Sequence, residues 1–245
     1  MAKPTLVSIA YSPWSRRAKK ALDRQGIEYR LQSFLPGAGE PMLRARLRKP
    51  FGKVTVPVLF TDDGPLMDST EIAYWASDRS DTPLAPPRLR PIIDEWVARA
   101  EDALMAGRLR TTTLIRADRD ALRSSLPSAV RPLGPLGMLI ASDLTRRLLT
   151  KYADERTMSE RNAVLDDYVQ TLESALENGP HLAGEPSYAD LAAASGLAFI
   201  GPDARAPIPP EARPHWTRAD LVEKHPKVFA WCEQVWADSL PVGGA

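Results

Sequence analysis

The sequence predicts an α/β domain over residues 1–80 and an all-helical domain over residues 92–245, joined by a linker at 81–91. Three observations predict it. Strand-like and helix-like patterns alternate through the first 80 residues. A segment with four prolines follows, Asp81-Thr82-Pro83-Leu84-Ala85-Pro86-Pro87-Arg88-Leu89-Arg90-Pro91. Beyond it every periodic apolar pattern has helical spacing.

Leu6-Val7-Ser8-Ile9-Ala10-Tyr11 mixes β-branched and apolar residues and reads as a strand. Ser12-Pro13 opens a helix: serine is a good N-cap, and proline suits the first helical position, where its missing N–H costs nothing. Trp14, Ala18, Ala21 and Leu22 continue at helical spacing, and Gly26 stops the helix. A second strand is expected over Tyr29–Leu35, a short arginine-rich helix over 40–49, and a third strand over Val54–Phe60. Pro57 lies inside that third strand. It cannot donate to a central ladder, so an edge, a bulge or a special turn is required there. Asp63-Gly64 turns the chain into Leu66-Met67, and Ser69 opens a helix running to about Ser80.

In the second domain Ile92, Ile93, Trp96, Val97, Ala100 and Leu104 form one stripe. Thr157 and Glu160 form a capping box before Leu165, Tyr168, Val169, Leu172 and Leu176, and Asn178-Gly179-Pro180 ends that helix. Ser187 and Asp190 cap another helix. The last helix is expected from about Lys224 to Ser239, with Val228, Trp231, Cys232, Val235 and Trp236 on its core side. Residues 126–137 and 201–214 are rich in Pro and Gly and read as irregular.

Composition narrows the function classes. The formal net charge is +1, which excludes a polyelectrolyte. Residues 14–53 nevertheless hold eleven Lys or Arg against three Asp or Glu. Such a run is either a solvated basic face or a local field that draws in a small anion. No zinc spacing, basic zipper or RNA-binding aromatic motif accompanies it, so nucleic acid is not the expected partner. No apolar stretch reaches the roughly 18 residues of a membrane span, so no membrane partner is expected either. Cys232 is the single cysteine, which forbids an intrachain disulfide or a CxxC pair and suits a reducing, cytoplasmic compartment. With three scattered histidines and no HExxH, no metal site is expected.

Three segments together resemble the glutathione transferase superfamily. Ser12-Pro13-Trp14-Ser15-Arg16, at the end of the first strand, is similar to the serine or cysteine corner of its serine- and cysteine-type members. Val56-Pro57-Val58-Leu59, followed by Leu66-Met67-Asp68-Ser69-Thr70-Glu71-Ile72, resembles the family's V-P-x-L and then [E/D]-S-x-x-I. Leu182-Ala183-Gly184 before Pro186-Ser187-Tyr188-Ala189-Asp190-Leu191 resembles the capping box of its core helix. One departure stands out. Lys49-Pro50-Phe51-Gly52-Lys53-Val54-Thr55-Val56-Pro57 has Lys where the family often has Asn, and two added residues before Val-Pro.

The resemblance implies a thioredoxin-like α/β N-terminal domain, a helical-bundle C-terminal domain and a two-fold homodimer. It implies glutathione as co-substrate and a small hydrophobic electrophile as second substrate. Ser12 would hold the glutathione thiolate, with Tyr11 and Ser15 as fallback donors. A free thiol has a pKa of about 8.5, and a hydroxyl donor plus a helix N-terminus favour the thiolate. Ser69 would bind the γ-glutamyl carboxylate at a helix N-terminus, and Asp68 would take the ammonium. Pro57 would be cis, exposing the Val56 backbone to the cysteinyl part of glutathione. Lys53 would meet the glycine carboxylate. Each role has a plainer counterpart: Ser12, Asp68 and Ser69 as simple caps, Pro57 as a trans edge proline, Lys53 as a solvated lysine. Ether or halide cleavage needs the same thiolate as conjugation, and a non-catalytic binding protein could use the same scaffold.

Overall fold

The computed structural model describes residues 3–126 and 130–238. In chain order the elements are β1 (Thr5–Ser8), α1 (Pro13–Arg24), β2 (Arg30–Ser33), α2 (Glu40–Leu47), β3 (Val58–Thr61), β4 (Gly64–Leu66), α3 (Ser69–Ser77), α4 (Arg90–Ala117), α5 (Arg119–Ser124), α6 (Pro135–Lys151), α7 (Met158–Leu176), α8 (Tyr188–Gly196), α9 (Arg213–Trp216), α10 (Ala219–Lys224) and α11 (Pro226–Ala237). By spatial contact they divide into two compact units. Among the described residues, the first holds those up to Val97 together with His181–Ser195, and the second holds those between Ala98 and Pro180 and between Gly196 and Asp238.

The first unit is built on a four-stranded sheet of order β2-β1-β3-β4. β1 runs parallel to β2 and antiparallel to β3, and β4 is antiparallel to β3. Alternation along the strands separates two cores. On one face Leu6 and Leu59 pack with Ala18 and Leu22 of α1 and Ile72 and Ala76 of α3. On the other face Val7 and Val58 pack with Leu43 of α2 and with Val54. This mixed sheet and the mostly helical remainder are the fold class that the sequence predicts.

The strands are shorter than the sequence patterns suggest, for local reasons. β1 stops at Ser8 because the next N–H, that of Ile9, donates to the Ser15 hydroxyl instead of to a ladder. β3 begins at Val58 rather than Val54 because Pro57 has no N–H to contribute. Gly26 sits at φ +65° just past α1, as expected of the residue that stops it.

The linker segment is held tightly within the first unit. The Gln25 amide donates to Thr82 O (3.1 Å) and accepts from Leu84 N (3.2 Å). The Ser77 hydroxyl accepts from Ala85 N at 2.8 Å, and Ala85 is fully buried. The cap predicted at Ser187 and Asp190 is present. Ser187 accepts from Ala189 N, while Asp190 accepts from the backbone N–H groups of Ser187 and Leu182 and pairs with His181. That buried carboxylate therefore ties the Leu182-Ala183-Gly184 turn to the start of α8.

In the second unit the Thr157–Glu160 capping box closes in both directions, with Thr157 N to Glu160 Oε2 at 2.7 Å and Glu160 N to Thr157 Oγ1 at 3.2 Å. Leu165, Tyr168, Val169 and Leu172 of α7 are buried, as is the whole predicted stripe of α11, Cys232 included. Gly107 of α4 lies so close to Phe199 that a Cβ there would stand 2.5 Å from the phenylalanine Cβ. Within the segment expected to be irregular at 126–137, residues 127–129 lie outside the described residues, and α6 already starts at Pro135. Met1, Ala2 and the expected helix end at Ser239 also lie outside them. Among the described residues no helix is long and apolar enough to cross a membrane.

Candidate functional site

The sheet register gathers the sequence-predicted residues at one end. Val7, near the end of β1, faces Val58, the first residue of β3. Leu59 faces Leu66, the last residue of β4. The segment after β1 (Tyr11, Ser12), the segment before β3 (Val56, Pro57) and the segment after β4 (Asp68, Ser69) therefore leave the sheet on the same side. Helices α1 and α3 start there, and each brings a partial positive charge to that end of the sheet.

Ser12 occupies the N-cap position of α1, with extended backbone angles (φ −71°, ψ 124°). Its N–H donates to Ile9 O at 3.1 Å and its C=O accepts from Arg16 N at 2.9 Å. Its hydroxyl makes no capping hydrogen bond. The side chain is half-buried and stands ready for another partner.

The two fallback donors have different surroundings. Ser15 is 2% exposed, and its hydroxyl already accepts from Ile9 N. The strand expected to run to Tyr11 ends at Ser8, and Tyr11 is 44% exposed. Desolvation of its hydroxyl raises the phenol above its ordinary pKa, so Tyr11 is a neutral donor at physiological pH.

At α3, Asp68 is the N-cap, and its Oδ1 accepts from Thr70 N (2.7 Å) and Glu71 N (3.2 Å). The plainer role, helix cap, is thus filled by one carboxylate oxygen of an exposed side chain. Ser69 is buried, at 1% exposed. Its hydroxyl accepts from Arg17 Nε at 2.9 Å, and its backbone oxygen accepts from the Tyr188 hydroxyl at 3.2 Å. The Val56–Pro57 bond is cis. Val56 is half-buried and outside the sheet ladder.

Lys53 is exposed on the loop that follows α2. The two added residues of that loop are accommodated by Arg44, which also pairs with Glu40. Its guanidinium donates to Lys49 O (3.3 Å), Pro50 O (3.4 Å) and Gly52 O (3.0 Å). Arg48, at φ 52°, turns the chain out of α2.

Sequence reasoning missed Arg17, Arg44, Tyr188 and Ser195. For Arg17 a signal was present. It falls three residues after Trp14 and four before Ala21, on the apolar stripe of α1, where a charged side chain must be buried with a partner. Among the described residues no cluster of three or more His, Cys, Asp or Glu side chains could hold a metal ion.

With this geometry in view, residues 11–79 match the family model described as the glutathione S-transferase N-terminal domain. That stretch, which runs through α1 to α3, is similar to such a domain. The chain as a whole has the glutathione S-transferase fold. It superposes on the glutathione transferase GSTFuA2 of Phanerochaete chrysosporium with a TM-score of 0.67 at 20% identity, covering 99% of this chain and 100% of that one. A glutathione S-transferase of Methylobacterium radiotolerans, in complex with glutathione sulfonate, gives 0.62 at 16% identity over 100% and 97%. One from Methylobacillus flagellatus with glutathione bound gives 0.61 at 17% identity over 98% and 100%. No curated protein matches the sequence.

In this domain the two candidate helix starts differ in what they depend on. The Ser12 hydroxyl does not cap α1, so Ser12→Ala is expected to change stability by less than about 0.5 kcal/mol. Asp68 does cap α3, so Asp68→Ala is expected to cost about 1 kcal/mol. Urea unfolding midpoints of the two variants check this. A loss as large for Ser12→Ala as for Asp68→Ala would make Ser12 a cap.

Proposed function

We propose that the protein is a glutathione transferase of the serine type, which binds glutathione as a thiolate and directs its sulfur at an electrophilic carbon of a small hydrophobic acceptor. The observation that carries the reading is the Ser12 hydroxyl. It stands at the N-terminus of α1 in the cap position, yet makes no capping bond. A hydroxyl left out of the helix it begins is available to a ligand.

The chemistry follows from the parts. On binding, the glutathione thiol gives up its proton to solvent. The Ser12 O–H donates to the sulfur anion, and the N-terminus of α1 adds its partial positive charge. The thiolate sulfur then forms the new bond to carbon, while the acceptor's leaving group or π-electron pair takes up the displaced electrons. Glutathione itself is held away from the sulfur. Its γ-glutamyl carboxylate would meet Ser69 at the start of α3, and its ammonium would meet the carboxylate of Asp68. Its cysteinyl backbone would pair with Val56 beside the cis Pro57, and its glycine carboxylate lies toward Lys53. Tyr11, exposed and neutral, stands next to Ser12 as a second donor to the sulfur or its acceptor. Ser15, 2% exposed, is the less accessible donor. The solved structures with glutathione or glutathione sulfonate bound support glutathione as the ligand of this fold. A homodimer in a reducing cytoplasm completes the reading. Exposed Leu31, Leu35, Met42 and Phe51 on the first unit, the last 85% exposed, give a partner subunit apolar surface to cover.

Bound glutathione is expected to show an ultraviolet thiolate band whose titration midpoint lies below the free value of about 8.5. A donor to a charged partner is worth roughly 1.5–3 kcal/mol, so Ser12→Ala is expected to raise the midpoint by about one to two units. Glutathione affinity should change less, since the carboxylate contacts remain. An identical midpoint in both proteins would move the role to Tyr11 or to backbone donors. Bound glutathione with no thiolate band in the wild type would instead favour a non-catalytic binding protein.

A further inference from the structure

Arg17 is fully buried on the second turn of α1. Burying a guanidinium costs several kcal/mol unless its N–H groups are satisfied, so its partners report what it is for. Its Nε donates to the hydroxyl of Ser69 at 2.9 Å, across 52 residues of sequence. Its Nη1 reaches the hydroxyl of Ser195 in α8 at 3.4 Å, and Ser195 in turn donates to Ala192 O at 2.6 Å. Tyr188, from the same helix, donates to the backbone oxygen of Ser69 at 3.2 Å. Ser69 is thus held from beneath by α1 and α8, both within the first unit.

The bond to Ser69 has a direction. A serine hydroxyl carries one proton and two lone pairs. The Arg17 Nε–H occupies a lone pair, so the single Ser69 proton must point elsewhere. Among the described residues no acceptor takes it. On the same turn the Thr70 hydroxyl, on a side chain 9% exposed, is also buried without a partner. Two unspent hydroxyls at the start of a helix, one of them polarised by a guanidinium, form a donor set without an acceptor.

We propose that Arg17 is a positioning residue for carboxylate recognition: by donating to the Ser69 hydroxyl it fixes the rotamer and turns the serine proton toward the α-carboxylate of the ligand's γ-glutamyl end. The proposal rests on the reading above that Ser69 receives this carboxylate. Arg17 touches no ligand atom itself. Lysine in its place keeps the charge but has no planar Nε–H to lay against Ser69.

The test is calorimetry on the full chain with two probes, glutathione and 4-aminobutyryl-cysteinylglycine, which lacks only the α-carboxylate. Arg17→Lys is expected to weaken glutathione about tenfold, as for loss of a charge-assisted contact. It should leave the affinity for the decarboxylated probe within about twofold and the midpoint of the bound thiolate unchanged. On a Ser69→Ala background it should add nothing, because the two act through one hydroxyl. Equal weakening of both probes, or losses from Arg17→Lys and Ser69→Ala that multiply, would overturn the proposal and leave Arg17 a purely structural tie. An unchanged Arg17→Lys beside a weakened Ser69→Ala would overturn it while sparing the carboxylate reading. If Ser69→Ala is also unchanged, or the wild type binds no glutathione, that reading fails and the proposal with it. Should Arg17→Lys not fold, Ser195→Ala carries the same comparison. About a two- to threefold loss confined to glutathione supports the role, and no loss or an equal loss on both probes overturns it.

Discussion

A guanidinium buried away from water has to find its hydrogen-bond partners inside the protein, and Arg17 finds them on two other helices. This constraint reaches further than any apolar contact in the first unit. The core of Leu6, Leu22, Leu59 and Ile72 brings α1 and α3 together on one face of the sheet, but apolar packing is non-directional and fixes no hydroxyl. The Arg17–Ser69 bond does. It sets the start of α3 against the second turn of α1, and the register of β1, β3 and β4 sets both helix starts at one end of the sheet. Tyr188 adds a third tie to the backbone of the same serine.

The placement has an electrostatic sense. Glutathione carries two carboxylates and a thiol that is useful only as its anion. The two helix N-termini offer backbone donors and partial positive charge at the two points where negative charge would lie, at Ser12 and at Ser69. The helices are used unequally. Asp68 spends one oxygen on capping α3, whereas the Ser12 side chain makes no cap on α1.

Much of this was legible in the sequence because local chemistry forces it. Pro13 after Ser12, Pro57 inside an apolar run, Asp68-Ser69 before Ile72, and Thr157 with Glu160 each specify a backbone state within a few residues. The two helix starts themselves were therefore legible in advance. What was not legible depends on long-range partners. Arg17 was counted in a basic run of residues 14–53, although its place on the apolar stripe of α1 distinguished it from its neighbours. That the Ser15 hydroxyl accepts from Ile9 N, and that Ser15 is buried, is likewise set by the end of β1 and not by its neighbours in α1. The end of β1 at Ser8, three residues short of Tyr11, depends on the Ser15 hydroxyl that takes the Ile9 N–H. The added residues around Lys49 looked disruptive because nothing local shows that Arg44 binds three carbonyls of that loop. The hold on the proline-rich segment was not legible because its anchors, Gln25 and Ser77, lie outside it.

The most direct measurement is a crystal structure of the protein soaked with glutathione. The sulfur is expected within hydrogen-bond distance of the Ser12 hydroxyl, with the γ-glutamyl carboxylate on the Ser69 hydroxyl and N–H and the Arg17–Ser69 bond intact. Glutathione seated elsewhere, or its carboxylate away from the start of α3, would contradict the site described above.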